Sequence, residues 1–97
     1  MAFRLALLAR ADLDDLWAYA ARETGSEGRA DHAVDAIAER FITLTDYPRA
    51  GRMRGDLGRG LRSFAAGDYV IIYRVVRTDV VILRIVHGRR DLRALFG

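Results

Sequence analysis

Tyr69-Val-Ile-Ile-Tyr-Arg-Val-Val-Arg-Thr-Asp-Val-Val-Ile-Leu-Arg-Ile-Val-His87 is the stretch on which the fold turns. It is dense in β-branched and aromatic residues and is broken once, at Thr78-Asp79, by residues that favour turns. Two strands, about Tyr69–Arg77 and Val80–His87, joined by a hairpin account for it. Upstream, Leu61–Ala65 reads as a third strand and Gly67-Asp68 as the turn that leads out of it. The three strands most simply form an antiparallel meander.

The period changes in the first half of the chain. Leu13, Leu16, Trp17 and Ala20 fall at i, i+3, i+4 and i+7, with Asp12, Asp14, Asp15 and Arg22 off that stripe, the pattern of an amphipathic helix with acids in its first turns. Gly25-Ser-Glu-Gly28 ends it. A second helix, about Arg29 to Leu44, carries Ala30, Ala33, Val34, Ile37, Phe41 and Leu44 on its apolar stripe and Asp31, Asp35 and Glu39 on the other side. Its run stops at Tyr47-Pro48, since proline cannot continue a helix. Phe3-Arg-Leu-Ala-Leu7 alternates as an opening strand, and Gly51–Gly60, rich in Gly and Arg, reads as a loop or irregular edge. The order β-α-α-β-β-β predicts an α+β fold, an antiparallel sheet with a helical hairpin packed on one face. Residues 1–97 form one domain, since 97 residues can bury about two-thirds of their unfolded surface around a single core.

Composition narrows function by exclusion. With no cysteine there is no disulfide scaffold, thiol nucleophile or thiolate metal site, and two histidines leave little material for another metal centre. The apolar N-terminal stretch to Ala9 is too short for a signal peptide and runs into Arg10–Asp15, and no apolar run is long enough to span a bilayer. A cytoplasmic protein is expected, with no cofactor. No phosphate loop, nucleophile elbow or zinc-protease motif is present.

All 16 basic residues are arginine, and they are unevenly placed: residues 1–48 carry 5 Arg and 9 acids, a net −4, and residues 49–97 carry 11 Arg and 4 acids, a net +7. A basic half suits an acidic partner or nucleic acid. Arg74 and Arg84 interrupt apolar strands. A short connection around Thr78-Asp79 sets Arg84 opposite Tyr73 and Arg74 opposite Leu83, on opposite faces. One of the two is expected to pair with a carboxylate near a helix and the other to stay exposed, because a buried unpaired guanidinium is costly. Arg62 adds a third cation to the sheet. His32 reads as a solvated helix residue. His87 ends a strand before Gly88-Arg-Arg-Asp91, where it is either a general base beside arginines or a side chain that caps the core or bonds Asp91. Trp17 reads as core and Tyr19 as half-exposed.

Five segments in order resemble the ParE branch of the ParE/RelE superfamily of bacterial toxin–antitoxin toxins. They are Ala9-x-x-Asp12-Leu13-x-x-Leu16-Trp17-x-Tyr19, Leu44-x-x-x-Pro48-x-x-Gly51-Arg52, Gly60-Leu-Arg-Ser-Phe64, Tyr69-Val-Ile-Ile-Tyr-Arg74 and Val81-Ile-Leu-Arg84-Ile-Val-His87-Gly-Arg89-Arg90-Asp91. The resemblance implies a non-catalytic toxin that inhibits DNA gyrase. A ParD-like antitoxin would neutralise it in a hetero-oligomeric complex and would supply the only contact with DNA. It also implies target-binding residues Arg84, His87, Arg89, Arg90 and Arg93, and antitoxin-binding residues Trp17, Tyr19, Arg62, Tyr73 and Arg74, with no catalytic or metal-binding residue. The RelE side of the superfamily implies a ribosome-dependent mRNA endonuclease instead. Against that stand the absence of lysine and a C-terminal Leu95-Phe96-Gly97 without the Tyr or Glu such enzymes place there. A third possibility is a non-toxic member that only binds antitoxin.

Overall fold

The computed structural model describes residues 2–96. Strand β1 (Phe3–Leu5) leads into helix α1 (Leu7–Thr24), then α2 (Glu27–Asp46), β2 (Arg52–Met53), β3 (Arg62–Ala66), β4 (Tyr69–Val76), β5 (Asp79–His87) and α3 (Leu92–Phe96). The sheet order is β1-β5-β4-β3-β2, with β1 parallel to β5 and the remaining pairs antiparallel. The expected meander and helical hairpin are present. A two-residue edge strand, β2, emerges from the Gly/Arg-rich segment, and a short C-terminal helix follows the meander.

α1 starts at Leu7, earlier than its apolar stripe implies, so no acid lies in its first turn. The first turn is set by the good helix formers Ala6–Ala11 and not by burial, since Leu7 and Leu8 are 85% and 61% exposed. Gly25 closes α1 in the left-handed conformation (φ 67°), with its N–H on the Ala21 carbonyl. Ser26 caps α2 by accepting the Arg29 N–H at 3.2 Å. The apolar stripe of α2 is buried as its spacing requires: Ala30, Ile37, Phe41 and Leu44 are at most 6% exposed.

Both hairpins turn in two residues. Gly67-Asp68 joins β3 to β4 as expected, but the second turn is Arg77-Thr78, one residue earlier than the sequence suggests, because Val76 pairs with Asp79. Arg77 takes φ 58° to close it, the positive φ that tight hairpin turns demand. A bulge near Ile72/Tyr73 then shifts the register, so Arg84 lies opposite Ile72 and Tyr73 opposite Ile82.

The main core lies between the hairpin and the sheet: Leu16, Ile37, Phe41 and Leu44 against Ile71, Tyr73, Val80, Ile82 and Ile85. A second, smaller cluster on the other face buries Leu57, Leu61 and Ile72, with Leu92 and Phe96 of α3 packed against it. Among the described residues no helix is long and apolar enough to cross a membrane.

Candidate functional site

The pleat of β4 divides its residues between the two faces. Ile71 and Tyr73 point to the helices, while Ile72 and Arg74 point away, where Arg74 is exposed. β1 ends at Leu5, so among the described residues the outer edge of β5 beyond Ile82 has no strand beside it. Asp12 of α1 takes that place. Its Oδ2 accepts the Ile85 N–H at 2.9 Å, and its carboxylate receives Arg84 in two bonds, from Nε at 2.8 Å and from a terminal nitrogen at 3.0 Å. Arg84 and Asp12 side chains are only 16% and 13% exposed. The pairing of one sheet arginine with a helix carboxylate, and the exposure of the other, agree with the expectation although the register that led to it differs. Arg84 as a target-binding cation is corrected: its charge is neutralised within the fold.

Tyr73 as an antitoxin contact is corrected too. The ring is fully buried, and its hydroxyl donates to the Pro48 carbonyl at 2.7 Å while accepting the Gly51 N–H at 2.8 Å. Burial pushes the phenol pKa up, against the Gly51 N–H and the nearby Arg62 charge, so it stays neutral. Gly51 has to be glycine: a Cβ there would run into the Tyr73 ring and hydroxyl and come within 2.9 Å of the Ser63 carbonyl. Arg62 is half-buried and donates to the Gly51 carbonyl at 2.8 Å and the Arg49 carbonyl at 3.4 Å. Trp17 is half-buried, its indole N–H on Asp31 Oδ1 at 2.7 Å, which ties α1 to α2.

His87 stands where β5 ends, edge-on to Tyr69 with ring centroids 5.5 Å apart. Its Nδ1 accepts the Arg89 N–H at 3.2 Å and its carbonyl accepts the Arg90 N–H at 2.9 Å, so the basic turn is folded around it. The alternative of a His87–Asp91 bond is not what is found, because Asp91 instead receives the Arg93 and Ala94 N–H groups at the start of α3. A groove of about 610 Å³ opens beside His87, lined by Leu16, Tyr19 and Glu23 of α1 with Asp68, Tyr69 and His87. Tyr19 is 54% exposed on its wall. Burial raises the Tyr69 pKa, and the Asp68 carboxylate adds to it, so this phenol is also neutral. Of the expected target-binding residues, His87, Arg89 and Arg90 are thus brought together at one end of the sheet. Arg93 leans on Asp56 at 3.5 Å.

Two features escaped sequence reasoning. Asp12 lies off the apolar stripe of α1 with Asp14 and Asp15, and its spacing gives no hint that it reaches β5. Arg54–Asp56, bonded through two contacts of 2.9 Å, arises inside a segment whose composition signals only a loop.

A two-helix hairpin on a five-stranded sheet is also the fold of chains from two bacterial toxin–antitoxin systems. A solved chain of the chromosomal ParDE system from P. aeruginosa shares this fold with TM-score 0.78 and 26% identity over 90% of this chain and 95% of that one. One from the toxin–antitoxin complex RelBE2 of Mycobacterium tuberculosis does so with TM-score 0.66 and 31% identity over 89% and 95%. The family model described as the ParE toxin of type II toxin–antitoxin systems, parDE, matches residues 3–92, and the chain belongs to that family. Toxin ParE1 of Caulobacter vibrioides is 35% identical over 96 residues, covering 98% of this chain and 97% of the relative. Toxin ParE3 of the same organism is 43% identical over 68 residues, covering 70% and 68%.

Proposed function

We propose that this toxin acts by binding: it inhibits DNA gyrase through the basic end of its sheet and is held inactive by a ParD-like antitoxin. The family match over residues 3–92 carries the reading. The geometry of the basic end supports it, since Arg89 and Arg90 are exposed, with no carboxylate within 4 Å among the described residues, on a turn fixed by His87. Arginine pairs of this kind suit a carboxylate-rich or phosphate-bearing target surface. Solved relatives come from ParDE and RelBE2 toxin–antitoxin systems, which supports an antitoxin partner here. Tyr19, Trp17, Arg62 and Arg74 remain the proposed antitoxin contacts that reach the surface.

The likeness to the RelBE2 toxin structure supports a second reading, ribosome-dependent mRNA cleavage with His87 as base. Against it, His87 Nδ1 is engaged by the backbone and, among the described residues, no second acid–base group stands hydrogen-bonded to the ring. Antitoxin-free protein is therefore expected to inhibit supercoiling by purified gyrase and to leave ribosome-bound mRNA intact. Cleaved mRNA with normal supercoiling would reverse the assignment, and silence in both would leave an antitoxin-binding member without toxicity. Charge reversal at Arg89 and Arg90 together should abolish gyrase inhibition while antitoxin binding persists; unchanged inhibition in that double variant would remove the site assignment.

A further inference from the structure

The opposite end of the sheet carries a second basic surface. The loop after α2 and the β4–β5 hairpin enclose an open groove of about 620 Å³, walled by Tyr47, Pro48 and Arg49 on one side and Val75 and Arg77 on the other. It continues past Arg49 and Arg77 into a smaller cleft of about 350 Å³ that adds Met53 and Arg62. Tyr47 and Met53 are 68% and 57% exposed and Val75 36%, so the floor is apolar and uncovered. Asp46 is the single carboxylate in either lining, and none lies within 4 Å of Arg49, Arg62 or Arg77 among the described residues.

This surface is held in shape before anything binds. Tyr73 pins Pro48 and Gly51 from below. Arg62 is oriented by the Gly51 and Arg49 carbonyls, which fix its guanidinium without cancelling its charge. Arg77 stands at the β4–β5 turn, its backbone in the left-handed conformation and its side chain exposed beside the groove. Three cations around exposed apolar side chains, on a rigid frame, fit a ligand that offers carboxylates flanking an apolar anchor. A nucleic-acid backbone fits less well, because interfaces with it are strongly polar and this floor is not.

We propose that this groove receives an acidic segment of the antitoxin, with an apolar side chain seated between Tyr47 and Val75 and carboxylates on Arg49, Arg62 and Arg77. The inference rests on the reading that the chain has an antitoxin and that the Arg89–Arg90 end faces the target. The two basic surfaces are separated by the length of β5, about 26 Å at ~3.3 Å per residue, so both can be engaged independently.

The test is an NMR titration of the isotope-labelled toxin with an acetylated heptapeptide of five glutamates, one tryptophan and one leucine. A glutamine counterpart and a ten-nucleotide oligothymidylate serve as comparison probes. The acidic peptide should shift Tyr47, Arg49, Val75 and Arg77 signals, and the glutamine peptide should not. Arg49→Glu with Arg77→Glu, both on exposed side chains, should weaken the peptide at least tenfold, while Arg89→Glu with Arg90→Glu leaves its affinity unchanged. Absence of groove shifts at millimolar peptide, displacement of the peptide by the oligonucleotide, or the reverse pattern among the variants would overturn the proposal. The Arg49/Arg77 variant should still inhibit gyrase. Lost peptide binding in the wild type with intact gyrase inhibition removes this inference alone, and groove binding without gyrase inhibition removes the target reading alone.

Discussion

On its helix-facing side the sheet buries Ile71, Tyr73, Val80, Ile82 and Ile85 under two helices of 18 and 20 residues. On the other side it buries Ile72 beneath Leu57, Leu61 and a five-residue helix whose Leu92 and Phe96 are only partly covered. The first face is closed by apolar side chains from both halves of the chain. The second has a smaller apolar cluster, flanked by partly exposed ion pairs from Asp56 to Arg54 and Arg93 that add little each. Helix packing of this extent supplies most of a small domain's stability. The far face, covered only by a loop and a five-residue helix, is therefore the easier of the two to loosen.

Removing a large side chain from each face would separate them most sharply. Phe41→Ala, at a position 1% exposed, should cost about 3–5 kcal/mol in urea unfolding, and Leu57→Ala about 2, because a loop can collapse onto the smaller void. Equal losses would mean that the two faces fold as one unit.

The next effect lies on the boundary between them. Asp12→Asn leaves Arg84 without its counter-charge and weakens the acceptor for the Ile85 N–H, a loss of about 2–3 kcal/mol for a pair this enclosed. Replacing both partners with apolar residues, Asp12→Leu with Arg84→Met, should recover most of that loss. A double variant no more stable than Asp12→Asn would show that the bond to Ile85, and not the ion pair, closes the edge of β5.

The helix-facing side is also the legible one. The 3.6-residue spacing of Ile37, Phe41 and Leu44 and the β-branched run Tyr69–Val76 state their own burial, so the hairpin and meander follow from pattern alone. The far side is not written in any period. Leu57 and Leu61 sit among glycines and arginines, and Leu92 and Phe96 in a basic tail; nothing local says that they meet Ile72. The candidate site divides the same way. The crowding of arginine near His87 is visible in one dimension. Which arginines are free is not, because Arg84 is neutralised from 72 positions away and Arg93 leans on Asp56. Tyr73, which the resemblance implies as an antitoxin contact, is instead turned inward by the same alternation that buries Ile71.

A smaller change probes how the helix-facing core shapes the arginine groove above it. Tyr73→Phe removes no packing but leaves the Gly51 N–H and the Pro48 carbonyl without their partner, which should cost about 1–2 kcal/mol. If the hydroxyl positions the 47–51 loop, amide signals from Tyr47 to Arg52 will broaden or shift while those of α1 stay in place. A change confined to global stability, with the loop signals unmoved, would mean that Gly51 packing alone sets the groove.

The mildest perturbation acts on the far face through protons. The Arg54 guanidinium, bonded at 2.9 Å, holds the Asp56 carboxyl well below the usual carboxylate range despite some opposing desolvation, and Arg93 adds to it. A carboxyl whose folded pKa is depressed contributes stability that is fully present above its unfolded value, about 3.9, and is lost as pH falls below that toward the folded value. Acidification from pH 5 to 3 should therefore weaken the tether, and the Leu92–Phe96 signals should move toward disordered values before those of α1 and α2. Asp56→Asn should show the loosened C-terminal segment already at pH 7 and remove its dependence on acid. A tail that responds to acid identically in wild type and Asp56→Asn would show that the Arg54–Asp56 tether does not hold it, leaving burial of Leu92 and Phe96 as what holds the far face closed.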